Sequence, residues 1–232
     1  MSGLVLQFVG VVLLNLYALA LVLLRAPVFH TRLYRPMVLN IALSIAPAVV
    51  LVLTVGGMLL VAVVAPNPAA LWAVVVVGGA LWLLLLPNSA YLITELNFSH
   101  RHDDDPVPLW YDIVLVLTLA LSGVMNTLLS LTLAQAIYLL VAYPNDDDPV
   151  GRPDSWALAS VVLVLVTFGM YLGRYIRFNS WDIRHPVGFA RKLVGHFRER
   201  GRARTAAAFV GTHSLLLAIV YLLVVAPLAD VL

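Results

Sequence analysis

Long runs of apolar residues alternate with short polar connections along the whole chain. Six such runs lie at about residues 4–24, 37–65, 71–86, 110–142, 156–177 and 205–227. A helix of about 20 apolar residues crosses a hydrocarbon core of about 30 Å, and its backbone groups must be hydrogen-bonded within the segment. The runs lack the alternation of membrane-barrel strands. The pattern therefore predicts an all-α, polytopic transmembrane helix bundle of six spans, with residues 1–232 forming a single integral membrane domain.

The fourth run is longer than one crossing requires. About 30 residues at 1.5 Å each make a helix of about 45 Å, which exceeds the roughly 30 Å of hydrocarbon. One tilted helix is the simpler interpretation of this run. Two half-spans that meet at Ser122 and Gly123 are the alternative.

The composition excludes a soluble globular domain. Hydrophobic residues make up 62% of the chain and charged residues 11%, whereas a soluble domain has roughly 25% charged residues. The mean hydropathy is +0.98. There is no cysteine, which excludes disulfides and thiolate metal sites. No cofactor and no nucleic-acid partner is predicted, and the oligomeric state is left open.

Basic residues concentrate in alternate connections between the runs. The first connection carries Arg25, Arg32 and Arg35, the second carries no Arg or Lys, and the fifth is the most basic segment of the chain. Because Arg and Lys mark cytoplasmic loops, the odd connections are predicted on the cytoplasmic side of the cell (inner) membrane. The even connections and both termini are predicted outside. Splitting the fourth run into two full spans would place the most basic segment outside, which argues against seven spans.

A short amphipathic helix is predicted within this basic segment, over residues 187–197. Val187, Ala190, Val194 and Phe197 recur at helical spacing, and the residues facing elsewhere are Arg191, Lys192, His196 and Arg198. This pattern is typical of a helix that lies in the membrane interface against anionic lipid, here on the cytoplasmic face. An ordinary basic loop is the alternative.

Polar residues gather where the third, fourth and fifth runs meet the predicted cytoplasmic face. The candidate cluster consists of Asn88, Tyr91, Glu95, Trp110, Asp112, Arg174, Arg177, Asn179, Ser180, Trp181 and Asp182. Ionisable groups near lipid seek partners and are functional candidates by default. The competing interpretation is structural, because arginines at helix ends extend toward water and Trp and Tyr form interface belts.

Two further patterns bear on function. The segment from Ser99 to Pro106 places His100 and His102 before three aspartates; such ligands suit a divalent cation, but the segment lacks a recognised ligand spacing, so a solvated loop is favoured and no metal is predicted. The small and polar residues Gly123, Asn126, Thr127 and Ser130 form a stripe on the fourth helix. This stripe is expected to face other helices, whereas a cavity along it would favour transport.

Gly169 and Gly173 form a small-xxx-small pair that predicts close packing of the fifth helix.

Three segments carry a resemblance to a known family. They read LPNSAYLITEL, WYDIVLVLTLALSGVMNTLLSL and GMYLGRYIRFNSWDI, and they resemble the bacterial multi-pass membrane proteins catalogued as domain of unknown function 1361. The resemblance covers residues 71–186. Glu95 stands where the family also has Asp, and Phe98 where members often have His. The family has no assigned activity, so the resemblance implies only that the three segments form one site or one structural lock.

Three functions remain open from the sequence. The leading hypothesis is a cytoplasm-facing site for an anionic group or lipid headgroup, bound by Arg174 and Arg177 because guanidinium groups suit phosphate. In that site Glu95, Asp112 or Asp182 would orient the arginines or act as acid and base. A transporter or channel and a structural or accessory subunit are the alternatives. No nucleophile–base pairing favours an enzyme, so that question stays open.

Overall fold

A computed structural model describes residues 3–64, 66–96, 106–143, 151–176 and 186–229, and the regular structure over those residues is entirely helical. The helices are α1 (Gly3–Phe29), α2 (Arg35–Val64), α3 (Pro68–Tyr91) with a following 3-10 turn (Leu92–Leu96), α4 (Leu109–Ala142), α5 (Pro153–Tyr171) with a following π-helical turn (Leu172–Ile176), α6 (Pro186–Arg198) and α7 (Arg202–Ala229).

Six of these helices, α1 to α5 and α7, are long and apolar enough to cross a membrane. The predicted multi-pass bundle of six spans is therefore confirmed. α4 is one continuous helix over Leu109–Ala142, so the alternative of two half-spans is wrong. Its length serves packing, because both ends of α4 carry side chains that bind neighbouring helices.

Helix starts lie a few residues earlier than the apolar runs predict. α3 begins at Pro68, because the side-chain oxygen of Asn67 accepts hydrogen bonds from the amides of Ala69 and Ala70 at 2.8 and 3.4 Å. α5 likewise begins at Pro153. Proline suits a first helical position, since its fixed φ is helical and its missing N–H is not needed there. Caps and prolines, and not hydrophobicity, decide these boundaries.

α4 is the central helix of the bundle. Its most apolar window is 67% buried, against 11% in α2 and in α7, because α4 packs against α1, α2, α3, α5 and α7. One apolar cluster joins Leu86 of α3, Leu128 of α4, Val166 of α5 and Leu217 of α7. A second cluster joins α1, α2, α4 and the 3-10 turn. The helices whose ends carry candidate residues, α1, α3 and α5, all pack against α4.

The described parts of the predicted polar segments lie at one end of the bundle. At this end, which we call the basic end, α1, α3 and α5 finish and α4 and α7 begin, and α6 packs there against α5 and α7. The other end, where α4 finishes and α5 begins, is called the opposite end.

α6 is the predicted short helix, and the structure confirms it over Pro186–Arg198. Val187 and Val194, two residues of its predicted apolar face, are 73% and 50% exposed. His196 was expected to face elsewhere, but it lies partly buried against α5, with its Nε2 2.8 Å from the hydroxyl of Tyr171. The bundle-facing side of α6 is therefore rotated from the predicted apolar face.

Candidate functional site

The ends of α3 and α5 meet at the basic end. The π-helical turn places Gly173 against the ring of Tyr91, where an added Cβ would lie 3.7 Å from Cε2. The next residue, Arg174, is partly buried, and its Nη1 donates to the carbonyl of Thr94 at 3.5 Å. Thr94 lies in the 3-10 turn, where its hydroxyl donates to the carbonyl of Tyr91 at 2.7 Å. The first and third predicted segments are thus in direct contact.

The start of α4 is tied to α1. Asp112 is buried, and its Oδ1 lies 3.1 Å from Nε of Arg25 at the end of α1. The hydroxyl of Tyr111 donates to the carbonyl of Leu21 at 2.7 Å, and the Tyr111 ring meets Phe29 edge-to-face at 4.8 Å. The sequence did not suggest Arg25 as a partner of Asp112, because the two residues lie 87 positions apart along the chain.

The other described members of the predicted cluster are Trp110 and Asn88. Trp110 is 63% exposed, as in the aromatic belt of a membrane interface. Asn88 is partly buried, and its Nδ2 donates to the carbonyl of Leu85 in the same helix at 3.0 Å. The remaining predicted side chains, namely those of Glu95, Arg177, Asn179, Ser180, Trp181 and Asp182, lie outside the part of the chain that the structure describes.

Comparison with known proteins decides the family. A family model described as "Protein of unknown function (DUF1361)" matches residues 39–220, more than three quarters of the chain. The chain belongs to this family. No curated protein and no solved structure matches it. The matched DUF1361 region begins inside α2 and ends inside α7, so α1 lies outside it.

A buried polar network joins four helices, three of them within the DUF1361 region. The side-chain amides of Asn15 on α1 and Asn126 on α4 donate to each other's oxygens at 2.8 and 2.9 Å. Asn126 also donates to the hydroxyl of Ser44 on α2 at 2.7 Å, and the hydroxyl of Ser89 on α3 donates to the Ser44 carbonyl at 2.5 Å. All four residues are buried. The sequence signal was two asparagines in apolar runs, without any sign that they meet.

The polar stripe on α4 faces other helices, as predicted. Asn126, Thr127 and Ser130 are all buried. Gly123 lies so close to α3 that an added Cβ would be 2.5 Å from the carbonyl oxygen of Ser89. The stripe therefore serves close packing, as small residues do between membrane helices.

The predicted close packing of α5 occurs at Gly169. An added Cβ there would lie 2.7 Å from Cβ of Pro87 on α3. The Gly169–Pro87 contact lies on α5 and the Gly173–Tyr91 contact on the following π-helical turn, and both hold the end of α3 against this part of the chain. The glycine pair thus brings the two segments of the basic end together.

A second polar cluster lies at the opposite end and was not predicted from the sequence. Asp154 at the start of α5 accepts hydrogen bonds from the hydroxyls of Tyr138 and Tyr143 at 2.7 and 2.6 Å. Nε of Arg152 lies 3.4 Å from the other carboxylate oxygen, and its guanidinium covers the Tyr143 ring at 3.8 Å from the centroid. These groups satisfy one another and fasten α4 to α5. Their sequence signal is weak, because the residues are scattered and of types common in interface belts.

Among the residues that the structure describes, no group of three or more His, Asp or Glu side chains lies close enough to hold a metal ion. His100 and His102 fall outside those residues. The described polar groups of the basic end include the Arg25–Asp112 ion pair, the Tyr171–His196 hydrogen bond, and the Arg174 guanidinium against the Thr94 carbonyl.

Proposed function

We propose that the basic end binds an anionic, phosphate-bearing group at the cytoplasmic face of the cell membrane, with Arg174 as its principal ligand. The family description and the six spans establish an integral membrane protein of unassigned activity. The anion site, its membrane side and the lipid partner are the proposal. The phosphate is carried by a lipid headgroup or is free in solution, and the experiment below separates these sources.

The proposal rests on the hydrogen bonding of the Arg174 guanidinium. Guanidinium has five N–H donors, and the one hydrogen bond of Arg174 to a described residue is the long contact with the Thr94 carbonyl. A partly buried cation at a membrane end needs an anionic or polar partner. Guanidinium binds phosphate through two parallel hydrogen bonds, which a neutral carbonyl cannot provide.

Further cations at the basic end favour the same ligand. Arg191, Lys192 and Arg198 are exposed on α6, and Arg200 and Arg204 are exposed near the start of α7. Basic residues next to an anionic membrane surface each contribute about 1 kcal/mol of attraction. Together they raise the local concentration of phosphate groups around Arg174, and their location supports a cytoplasmic position for this end.

The structural alternative has its own support. Asp112 pairs with Arg25, and the Asn15–Asn126 pair closes the bundle core, so much of the buried polarity holds helices together. The second candidate is therefore a structural or accessory subunit in which Arg174 fastens α5 to the 3-10 turn. The transport hypothesis loses its premise, because the stripe on α4 is buried against other helices.

The test compares two single arginine substitutions. Arg174→Gln removes the proposed ligand, and Arg204→Gln removes the same charge from an exposed position at the same end. A charge-assisted hydrogen bond contributes about 1.5–3 kcal/mol, so Arg174→Gln should weaken binding by about tenfold or more. Arg204→Gln should weaken it by less than about threefold, because the delipidated protein is not next to an anionic membrane surface and an exposed charge is screened by solvent.

Binding is measured on delipidated protein by native mass spectrometry, in one arm with phosphatidylglycerol and in the other with inorganic phosphate. Loss of phosphatidylglycerol alone in Arg174→Gln identifies a headgroup site, and loss of both identifies a phosphate site. Equal effects of the two substitutions would reduce the site to diffuse charge. An Arg174→Gln variant that unfolds more easily but binds both probes normally would favour the structural alternative.

A further inference from the structure

Tyr171 lies at the junction where α5 gives way to the π-helical turn. It is fully buried, and its hydroxyl lies 2.8 Å from Nε2 of His196 on α6. Its ring stacks on Tyr175 of the turn at 4.6 Å. The backbone carbonyl of Arg202, which begins α7, is a second acceptor for the same hydroxyl at 3.5 Å. Tyr171 thus joins three helices at one point.

Rings from α6 and α7 complete the surroundings of Tyr171. Phe197 lies at 6.2 Å and Phe209 at 5.7 Å between ring centroids. Phe209 also meets Tyr175 edge-to-face at 5.9 Å. Such aromatic pairs each contribute to stability beyond the area they bury. We call Tyr171, Tyr175, His196, Phe197 and Phe209 the aromatic clamp.

The aromatic clamp holds a backbone that needs support. π-helical turns are rare, occur mostly as single turns and often mark functional sites. Without tertiary contacts, the turn over Leu172–Ile176 would relax toward the α-helix. A shift of one residue in the helical register would rotate the side chains that follow by about 100° about the helix axis. The side chain most affected at the proposed anion site is Arg174, which the turn itself carries.

We infer that α6 is a positioning element for the anion site, and that His196 holds the π-helical turn, and with it Arg174, through Tyr171. The role of the positioned arginine rests on the proposed function, whereas the support of the turn by α6 does not. A surface helix is thereby coupled to a membrane-embedded helix end. Whatever displaces α6 from the bundle would withdraw Arg174 from Thr94.

The test uses variants that change the hydrogen bond and keep the packing. Tyr171→Phe removes the hydroxyl, and His196→Leu removes its partner. His196→Gln restores a polar group at a similar reach. The matched control is His213→Leu. His213 also stacks on Phe209, at 3.9 Å, but among the described residues its ring bonds only within α7.

Two quantities are measured on each variant, the first in phosphatidylglycerol-containing nanodiscs and the second by native mass spectrometry on delipidated protein. The first is hydrogen exchange of the backbone amides of residues 172–176, which reports the turn directly. Loss of one net hydrogen bond should accelerate that exchange by about fivefold in Tyr171→Phe and His196→Leu. The second is phosphatidylglycerol affinity, which should fall by about threefold or more in the same two variants. His196→Gln and His213→Leu should remain near the unmodified protein in both.

The outcomes separate this inference from the proposed function. Unchanged exchange over residues 172–176 in Tyr171→Phe and His196→Leu would overturn the inference. A second result would also overturn the inference, provided that Arg174→Gln lowers lipid affinity. In that result the amides of residues 172–176 exchange faster in Tyr171→Phe and His196→Leu, but the lipid affinity of these variants does not change. If Arg174→Gln itself leaves lipid affinity unchanged, the proposed anion site fails, and the exchange data alone decide whether α6 supports the turn.

Discussion

Replacing Asn126 by Leu tests how strongly the buried polar network holds the bundle. Leucine has a similar volume and removes three hydrogen bonds, two with Asn15 and one with Ser44. Hydrogen bonds between membrane helices contribute about 0.6 kcal/mol on average and up to about 1.7 kcal/mol. The free energy of unfolding should therefore fall by about 2 kcal/mol. A neighbouring control is Thr127→Val, because the hydrogen bond of the Thr127 hydroxyl within the described part of the chain goes to the Gly123 carbonyl of its own helix.

The assay is reversible unfolding in mixed micelles of dodecyl sulfate and a mild detergent, followed by tryptophan fluorescence. Asn126→Leu should lower the free energy of unfolding by about 2 kcal/mol, and Thr127→Val by less than about 0.5 kcal/mol, since the lost bond is local. A double-mutant cycle with Asn15→Leu should give a coupling of about 1 kcal/mol, because two of the bonds join these residues. Strict additivity in the cycle, or equal losses in Asn126→Leu and Thr127→Val, would refute the reasoning.

Two further stability predictions use the same assay. Gly169→Ala should cost about 1–3 kcal/mol, because its Cβ would overlap the rigid ring of Pro87. Gly211→Ala has open space around it and should be neutral or stabilising by up to about 1 kcal/mol, because alanine favours a helix more than glycine does. Equal effects of the two substitutions would contradict the close packing. Gln7→Leu should raise the free energy of unfolding by about 1 kcal/mol, since both amide atoms of Gln7 are buried without a partner among the described residues. Gln135→Leu should lower it, because the Gln135 amide binds hydroxyls on two other helices. A loss of stability in Gln7→Leu would show that the Gln7 amide is hydrogen-bonded.

The six spans were predictable because membrane insertion is decided by local properties. The length of an apolar run determines whether it can cross the hydrocarbon, and backbone hydrogen bonding then requires a helix. Helix starts were less predictable. They depend on single residues such as Asn67 and Pro153, whose capping effect is smaller than the hydrophobic signal but acts at one defined position.

The meeting of the ends of α3 and α5 was also predictable, because antiparallel helices bring alternate connections together. The contacts of α3 with the π-helical turn are in line with that expectation. The pairing of individual side chains was not predictable, because it depends on how each helix is rotated about its axis. Asp112 meets Arg25, and Asn126 meets Asn15, for this reason. Hydrophobicity along a helix that is apolar all round carries little information about rotation.

The same limit explains α6. Its amphipathic pattern predicted a helix, and the helix is present, but the pattern contains both an outward apolar strip and an inward aromatic side. Phe197 and His196 face Tyr171, whereas Val187 and Val194 are exposed. The choice between the two sides depends on the aromatic residues of α5 and α7, which no pattern within α6 reveals.

Polar contacts tie α1 to the region that the family model matches. The match begins at residue 39, yet Asn15 and Arg25 of α1 are bonded to Asn126 and Asp112 inside that region. Removing one partner of a buried charge pair is far more costly than replacing both, because the remaining charge stays buried. The matched region alone would therefore lose its Arg25 and Asn15 partners at Asp112 and Asn126. The basic end owes part of its geometry to α1, because the same α4 start that binds Arg25 packs against the 3-10 turn that receives Arg174.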